Sequence, residues 1–163
     1  MTTQWLKYLF NKLPIGMLRF LFNRWGPFHG AGIKVDYIAP DFCQVDVSMT
    51  LRWFNKNYMG VHYGGSIFSM ADPFYMLILV KNLGDQYIVW DKAAKIEFKK
   101  PGRGTVRARC VFSKDEIASV KQHADSQEKY VFDKALDILN EQGEIVASVV
   151  KTLYVRHKTN TKE

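Results

Sequence analysis

The feature that most constrains this chain is an almost wholly apolar segment, residues 66–83, which an acid and a proline interrupt at Asp72 and Pro73. Its large side chains leave no polar face: Ile67, Phe68, Met70, Phe74, Met76, Leu77, Ile78 and Leu79. A helix that is apolar on every side is buried in a protein core. The segment therefore predicts a central helix that ends at Gly84, and Pro73 predicts a kink in it because proline has no N–H donor.

Strand patterns surround this helix in the sequence. Along residues 44–53, apolar residues alternate with polar ones, which is typical of a strand with one buried face: Val45, Val47, Met49, Leu51 and Trp53. Further patterns predict strands at residues 33–39, 87–90, 92–100, 105–112, 130–139 and 144–156, and a loop at residues 26–32. Ser113 and Glu116 have the spacing of a capping box that opens a short helix. Since strands and helices do not alternate, the sequence predicts an α+β fold with one long helix against a curled antiparallel sheet.

The first residues predict a helical extension. Residues 3–25 show helical spacing of large apolar side chains, and Pro14 is placed to open a second helix. Two interpretations stay open: the helices pack on the domain or on a second subunit, or they lie on a membrane surface as a basic amphipathic segment. The chain is predicted to form a single domain over residues 1–163, with the extension at 1–26 and a flexible polar tail at 157–163.

Composition limits the partners. The 163 residues carry a formal net charge of +7, which favours anionic partners, but no nucleic-acid-binding motif is found and no nucleic-acid partner is expected. Cys43 and Cys110 form no disulfide framework, and the four histidines lack metal-ligand spacing, so no metal is expected. Neither a secretory signal nor an apolar run of about 18 residues is present, which predicts a cytoplasmic protein.

Asp72 raises a chemical question, because a carboxylate in this segment is expected at or near the interior. Burying it unpaired costs several kcal/mol unless it is protonated or well bonded. It could accept bonds from nearby backbone, or cap a helix that starts at Pro73. A functional explanation comes from Gly64 and Gly65, which allow a ligand to approach the N–H groups of a helix start, where an oxyanion can bind. A carboxylate about two turns later can serve as base or nucleophile at the same carbonyl.

These residues resemble a known signature. The motif Asn57-x-x-Gly60-x-x-Tyr63-Gly64-Gly65, followed by Met70-Ala71-Asp72, is similar to that of hotdog-fold acyl-CoA thioesterases of the phenylacetyl-CoA type. That family has Asn-x-x-Gly-x-x-His-Gly-Gly and then Leu-Ala-Asp at the same distance. The resemblance is closer still to an uncharacterised thioesterase-like branch of the superfamily. It implies a hotdog fold over residues 33–156, in which a curled antiparallel sheet surrounds one long central helix.

The resemblance also implies roles for individual residues. Asp72 corresponds to the general base or nucleophile, the Gly65 N–H polarises the thioester carbonyl, and Asn57 positions the water or the thioester. The expected substrate-binding residues are Tyr63, Gly64, His62 and Phe68. The family's site lies at a dimer interface, so self-association as a dimer or tetramer is expected. The substrate is acyl-CoA or another acyl thioester, with coenzyme A as part of the substrate and no separate cofactor.

One departure from the family pattern affects the chemistry. Tyr63 stands where the family has histidine, and His62 is displaced by one position. A tyrosine hydroxyl donates a hydrogen bond but does not act as a base at neutral pH. A non-catalytic acyl- or lipid-binding module is therefore the alternative function. A hotdog dehydratase or hydratase ranks lower, since no Asp-x-Asn-Pro-x-His type motif is found. The phosphates of coenzyme A are expected to meet basic residues: Lys99, Lys100 or Arg103.

Overall fold

The computed structural model of this chain describes residue 10 and residues 12–160. Its elements, in chain order, are α1 (Ile15–Arg24), α2 (Gly26–Ala31), β1 (Ile33–Ile38), β2 (Gln44–Thr50), α3 (Gly64–Ala71), α4 (Phe74–Leu83), β3 (Tyr87–Phe98), β4 (Thr105–Val111), α5 (Lys114–Ser126), β5 (Tyr130–Leu139), β6 (Ile145–His157) and a 3-10 turn (Lys158–Asn160). The strands form one antiparallel sheet in the order β1-β2-β4-β5-β6-β3. None of the helices described is long and apolar enough to cross a membrane.

The core lies between the inner face of this sheet and the helices α3 and α4. Inward side chains of β2, β4 and β6 are buried, and the helices fill the space with Met70, Phe74, Ile78 and Leu79. Strands β4 and β5 pair over two positions, so the sheet bends there and does not close. The predicted α+β hotdog fold is confirmed.

The central helix is interrupted at the acid and the proline. α3 ends at Ala71 and α4 begins at Phe74, but Asp72 and Pro73 keep right-handed helical dihedral angles, so the interruption is a short irregular turn within one long central helix. It follows from Pro73, which has no N–H to donate. Asp72 is the C-cap of α3, and Pro73 occupies the N-cap of α4 without a side-chain capping bond. Asp72 therefore does not cap α4, and the capping explanation is wrong.

Three local predictions differ from the structure. Residues 26–31 of the predicted loop form the short helix α2, with Pro27 in its first turn and Gly32 as its C-cap at φ +73°. Trp53 is 83% exposed, because β2 ends at Thr50 before the alternation reaches it. The two strands predicted at 87–90 and 92–100 form one strand, β3, with a bulge between Asp91 and Ala93. The capping box at the start of α5 is confirmed.

The two ends of the chain extend this domain. α1 packs on β1, and its buried Leu18 joins the core. The helix predicted before it falls largely outside the described residues. At the other end, β6 continues through His157, whose ring packs edge-on against Tyr87, and the Lys158 N–H donates to the Gln86 carbonyl. Regular structure thus reaches further into the predicted tail than its polar composition indicated.

The two edge strands of the sheet, β1 and β3, differ in whether another element hydrogen-bonds to them. The Asn23 carboxamide of α1 bonds to both backbone groups of Val35, at 2.7 and 3.1 Å, and Arg19 donates to the Asp36 carbonyl at 3.1 Å. Helix α1 therefore covers the β1 edge. The opposite edge strand, β3, has 12 residues and carries the exposed Trp90 and Phe98. No described residue hydrogen-bonds to its outer edge, so β3 is a long unpaired edge strand in this protomer.

Candidate active site

The loop before α3 is fixed by a buried asparagine. The Asn55 side chain donates to the carbonyls of Ala31 and Thr50, each at 3.0 Å, and accepts from the Arg52 N–H at 2.7 Å. The backbone carbonyl of Asn55 accepts the Tyr63 N–H at 3.2 Å. Asn55 thus positions the residue at which α3 begins. Sequence analysis missed it, since one asparagine in an Asn-rich loop carries no signal of burial.

Asn57, predicted to position water or the thioester, holds a local turn. Its Oδ1 accepts the N–H groups of Met59 and Val61 at 2.9 and 3.3 Å. The Gly60 N–H donates to the Asn57 carbonyl at 3.0 Å, and Gly60 has a φ of +73°, which favours glycine. The Asn57 and Gly60 part of the motif therefore builds a turn. The Asn57 Nδ2 donates to no described residue and is the group of this side chain that could bind water or the thioester. The positioning role of Asn57 stays a prediction.

The start of α3 presents two N–H groups outward. Tyr63 is the N-cap in an extended conformation, and its carbonyl accepts the N–H groups of Ser66 and Ile67 at 3.0 and 3.1 Å. The N–H groups of Gly64 and Gly65 donate to no acceptor in the described part of the chain. They lie at the positive end of the helix dipole, where an anion is stabilised. This is the arrangement that can bind a developing oxyanion.

Two aromatic rings lie directly on these glycines. A Cβ on Gly65 would come within 2.5 Å of Tyr63 Cε1, and a Cβ on Gly64 within 3.0 Å of Phe98 Cζ. A side chain at either position would therefore have to displace one of these exposed rings. Tyr63 is 59% exposed, and Phe98 at the end of β3 is also exposed. Together they give the start of α3 an open, aromatic wall.

His62 points inward. It is 2% exposed, its Nε2 lies 3.1 Å from the Gly104 carbonyl oxygen, and its ring contacts the position of Gly102. Burial lowers the pKa of His62 from its ordinary value, which favours the neutral ring. Its Nδ1 is buried and has no described partner. The ring is buried between its own loop and the turn at residues 101–104. This placement does not support the predicted contact of His62 with substrate, which stays a prediction.

Asp72 is paired with a lysine that sequence analysis did not single out. Its Oδ1 lies 2.6 Å from Lys151 Nζ, and Asp91 Oδ2 lies 3.3 Å from the same nitrogen. The Lys151 side chain is 1% exposed, whereas that of Asp72 is 47% exposed. The expectation of a buried Asp72 is therefore wrong for a single protomer, and the buried charge is the ammonium. Asp72 Oδ2 is bonded to no described residue, so it is free to act on a ligand.

The ammonium is enclosed on a third side by an aromatic ring. Lys151 Nζ lies 5.4 Å from the centroid of the half-buried Phe68 ring, which places Phe68 beside the ion pair. Asp91 has its Oδ1 buried without a described partner. Burial raises the pKa of Asp91, the charge of Lys151 opposes this shift, and the charge of Asp72 adds to it. The cation thus sits between two carboxylates and a ring.

Lys151 has a sequence signal that could have identified it. On β6, Val149, Lys151 and Leu153 share the inward face, and all three are buried. A lysine in the buried row of an alternating strand is uncommon unless it is paired. Its partners, however, come from α3 and β3 and depend on the fold. Within residues 10 and 12–160, no group of three His, Cys, Asp or Glu side chains is placed to hold a metal.

Two comparisons concern the sequence. A family model described as a domain of unknown function (DUF4442) matches residues 16–155, which is most of the chain. Among curated proteins, no relative matches the sequence. The family match covers the candidate site and all of the sheet except the end of β6, but it assigns no chemistry to them.

Solved structures share the fold. A Pseudomonas aeruginosa protein, PA5026, described as of unknown function and a probable thioesterase, has a TM-score of 0.78 and 22% identity and covers 89% of this chain and 97% of its own. The thioesterase HI1161 of Haemophilus influenzae has a TM-score of 0.65 and 17% identity, with coverage of 90% and 92%. The E. coli PaaI protein, from the phenylacetic acid degradation operon, has a TM-score of 0.57 and 20% identity, with coverage of 84% and 88%. These likenesses confirm the hotdog fold.

Proposed function

This chain belongs to the DUF4442 family, and from the geometry of its site we propose that it hydrolyses acyl-CoA or another acyl thioester between two copies of the chain. The observation that carries the proposal is the pairing of two features on one helix. The N–H groups of Gly64 and Gly65 face outward at its start, and the half-exposed Asp72 carboxylate, anchored through one oxygen, stands at its end. The first feature polarises a carbonyl and the second supplies a base or nucleophile.

The proposed reaction uses these groups in sequence. The thioester carbonyl oxygen accepts the N–H groups at the start of α3, so the negative charge of the tetrahedral intermediate forms at the helix dipole. When Asp72 acts as a base, its Oδ2 takes a proton from water as the water oxygen bonds to the carbonyl carbon; the carbon–sulfur bond then breaks, the leaving thiolate takes up that proton from Asp72, and the carboxylic acid is released. When Asp72 acts as a nucleophile, its Oδ2 bonds to the carbonyl carbon and the carbon–sulfur bond breaks; the thiolate takes a proton from water, and the resulting hydroxide cleaves the acyl–Asp72 anhydride to the carboxylic acid and free Asp72. The Tyr63 hydroxyl can donate a hydrogen bond but does not replace the base.

Helix geometry favours a site shared between two protomers. Asp72 lies seven positions after Gly65, which is a distance of about 10 Å along a helix. The free N–H groups point away from Asp72, so an oxyanion bound to them lies further still from its carboxylate. Attack on a carbonyl requires a separation of about 3–3.5 Å. We therefore propose that Gly65 of one protomer works with Asp72 of a second copy.

The open edge of the sheet supports the proposed homodimer. The β1 edge is covered by α1, whereas β3 is long and unpaired on its outer side among the described residues. Antiparallel pairing of two β3 strands satisfies these backbone groups. It also brings the second copy next to Asp91 and Phe98, which lie on β3 at the two ends of the candidate site. The proposal includes a tetramer in which two such dimers associate.

Arg103 is the proposed contact for the coenzyme A phosphates. Lys99 and Lys100 are already paired, with Glu97 and Glu144, each at 2.5 Å. Arg103 is exposed, and no carboxylate of the described residues forms an ion pair with it. A guanidinium suits phosphate because its parallel N–H groups bind two oxygens.

The free thiols of Cys43 and Cys110 support a reducing compartment such as the cytoplasm for this protein.

The alternative function is a non-catalytic acyl- or lipid-binding module. Tyr63 favours it, because it replaces the histidine of the phenylacetyl-CoA type thioesterases, and so do the exposed rings of Tyr63 and Phe98 at the start of α3. A binding module holds an acyl chain on these surfaces without turnover. The two functions differ in whether any thioester releases its thiol.

We also propose peripheral contact of α1 with an anionic lipid surface. Its outer side exposes large apolar residues beside two arginines: Met17, Phe20, Leu21, Trp25, Arg19 and Arg24. The Arg24 guanidinium lies 5.2 Å from the Phe20 ring centroid. Apolar side chains that are rimmed by arginine suit the boundary between headgroups and acyl chains.

Asp72→Asn is predicted to abolish most turnover. Thiol release from a panel of acyl-CoAs is expected to fall by about 10²–10⁴ in kcat, which is the usual contribution of a positioned base. Asp115→Asn, at an exposed position in the first turn of α5, is the matched control and keeps the wild-type rate. Equal rates for wild type and Asp72→Asn remove Asp72 from the chemistry. Tight binding without any turnover by the wild type supports the alternative module.

Mixed dimers test whether the site is shared. Gly65→Pro removes the N–H at a position where the first helical turn tolerates proline, and Gly65→Ala adds the same Cβ against Tyr63 while it keeps the N–H. Gly65→Pro and Asp72→Asn are each expected to be inactive alone. After refolding together in equal amounts, half of the dimers are mixed and each holds one intact site, so about a quarter of wild-type activity returns. A site within one protomer gives no recovery.

Membrane contact is tested by sedimentation with vesicles. The double variant Phe20→Gln with Leu21→Gln is expected to bind vesicles of phosphatidylglycerol at least about tenfold more weakly than wild type, because two apolar groups no longer enter the lipid. Trp53→Gln is the control, since Trp53 is exposed elsewhere on the surface. Equal binding by both variants, or no binding by the wild type, contradicts the proposed contact.

A further inference from the structure

We infer that Lys151 is a positioning residue for Asp72: its ammonium fixes one carboxylate oxygen and leaves the other directed outward for the reaction. The inference rests on the proposed function for its kinetic consequence and on geometry for the rest. Lys151 Nζ lies 2.6 Å from Asp72 Oδ1, while Asp72 Oδ2 has no bond to any described residue. A charge-assisted bond of this length restricts the rotation of the carboxylate.

The location of Lys151 indicates that its charge serves more than packing. It lies in the buried row of β6 between Val149 and Leu153, where an aliphatic side chain of similar size avoids the cost of removing an ammonium from water. Buried ion pairs often contribute little net stability relative to apolar residues of the same volume. Holding a reactive carboxylate in one orientation is a use that an aliphatic residue does not provide.

Asp91 holds the ammonium from the other side. Its Oδ2 lies 3.3 Å from Lys151 Nζ, and the bulge between Asp91 and Ala93 shifts the register of β3 against β6 at this point. Because a carboxylate contacts the ammonium on each side, the Lys151 side chain is held in the rotamer that contacts Asp72. The Phe68 ring lies 5.4 Å from Nζ and contacts the ammonium through its face.

The other ionisable groups that face Lys151 do not compete for it. Lys134 lies opposite Lys151 on β5, but its ammonium bonds to Glu116 on α5. The buried Cys110 thiol on β4 has its pKa raised by burial to about 12, so it is neutral. Within the described residues, the anions that contact the Lys151 ammonium are therefore Asp72 and Asp91.

The test compares three variants in kinetics and in crystal structures. Lys151→Met is expected to lower kcat by about 10²-fold with KM changed less than about twofold, because a misplaced reacting group costs about that much in rate. Asp91→Asn keeps its shape and loses one anchor, and kcat is expected to fall about tenfold. Lys134→Met is the matched control, being the directly opposite lysine on the neighbouring strand, and keeps the wild-type kcat. In the crystal structure of Lys151→Met, the Asp72 carboxylate is expected to leave its wild-type position.

The outcomes separate this inference from the proposed function. An unchanged kcat and an unmoved Asp72 carboxylate in Lys151→Met overturn it. If the wild type hydrolyses no thioester, the proposed function fails, and the position of Asp72 in the Lys151→Met and Asp91→Asn structures decides the inference alone. If Lys151→Met does not fold, Lys151→Arg decides. It keeps the charge, but its planar guanidinium holds the carboxylate elsewhere, so kcat falls at least about tenfold, and an unchanged kcat overturns the inference.

Discussion

The buried ammonium of Lys151 links the parts of this protein that concern function. It joins the inner face of β6, the strand next to the sheet edge, to the carboxylate that follows α3 and to Asp91 on the edge strand β3. The interruption at Pro73 lies directly beside this contact: α3 ends at Ala71 and α4 begins at Phe74, with Asp72 and Pro73 between them in helical conformation.

The two groups of the proposed site lie far apart in a single protomer. The N–H groups of Gly64 and Gly65 and the Asp72 carboxylate stand at opposite ends of α3, and the N–H groups point away from the carboxylate. The domain covers one sheet edge with α1 and leaves the other, β3, open. An unpaired edge is a liability for aggregation unless another strand meets it. In the proposed dimer, one pairing covers the edge and completes two sites.

Sequence analysis predicted the features that depend on local chemistry. The glycine pair at a helix start, the interruption at Pro73 and the capping box of α5 follow from residues that are neighbours in the chain. Features that depend on distant contacts were missed or wrong. Asn55 could not be distinguished from Asn57, because its burial depends on backbone from β2 and α2. Asp91 was overlooked because the bulge that follows it is set by its pairing with β6.

The central claim, a carbonyl held by one protomer and attacked with Asp72 of another, is tested most directly by a crystal structure. The ligand is an acyl-CoA analogue in which a methylene replaces the thioester sulfur, so that the carbonyl stays and cannot be cleaved. The account predicts the carbonyl oxygen within about 3 Å of the Gly65 N–H and its carbon within about 3.5 Å of Asp72 Oδ2, or of a water bound to it, from the second copy. An acyl carbonyl far from both groups, or a Gly65 and Asp72 pair from the same protomer around it, contradicts the account.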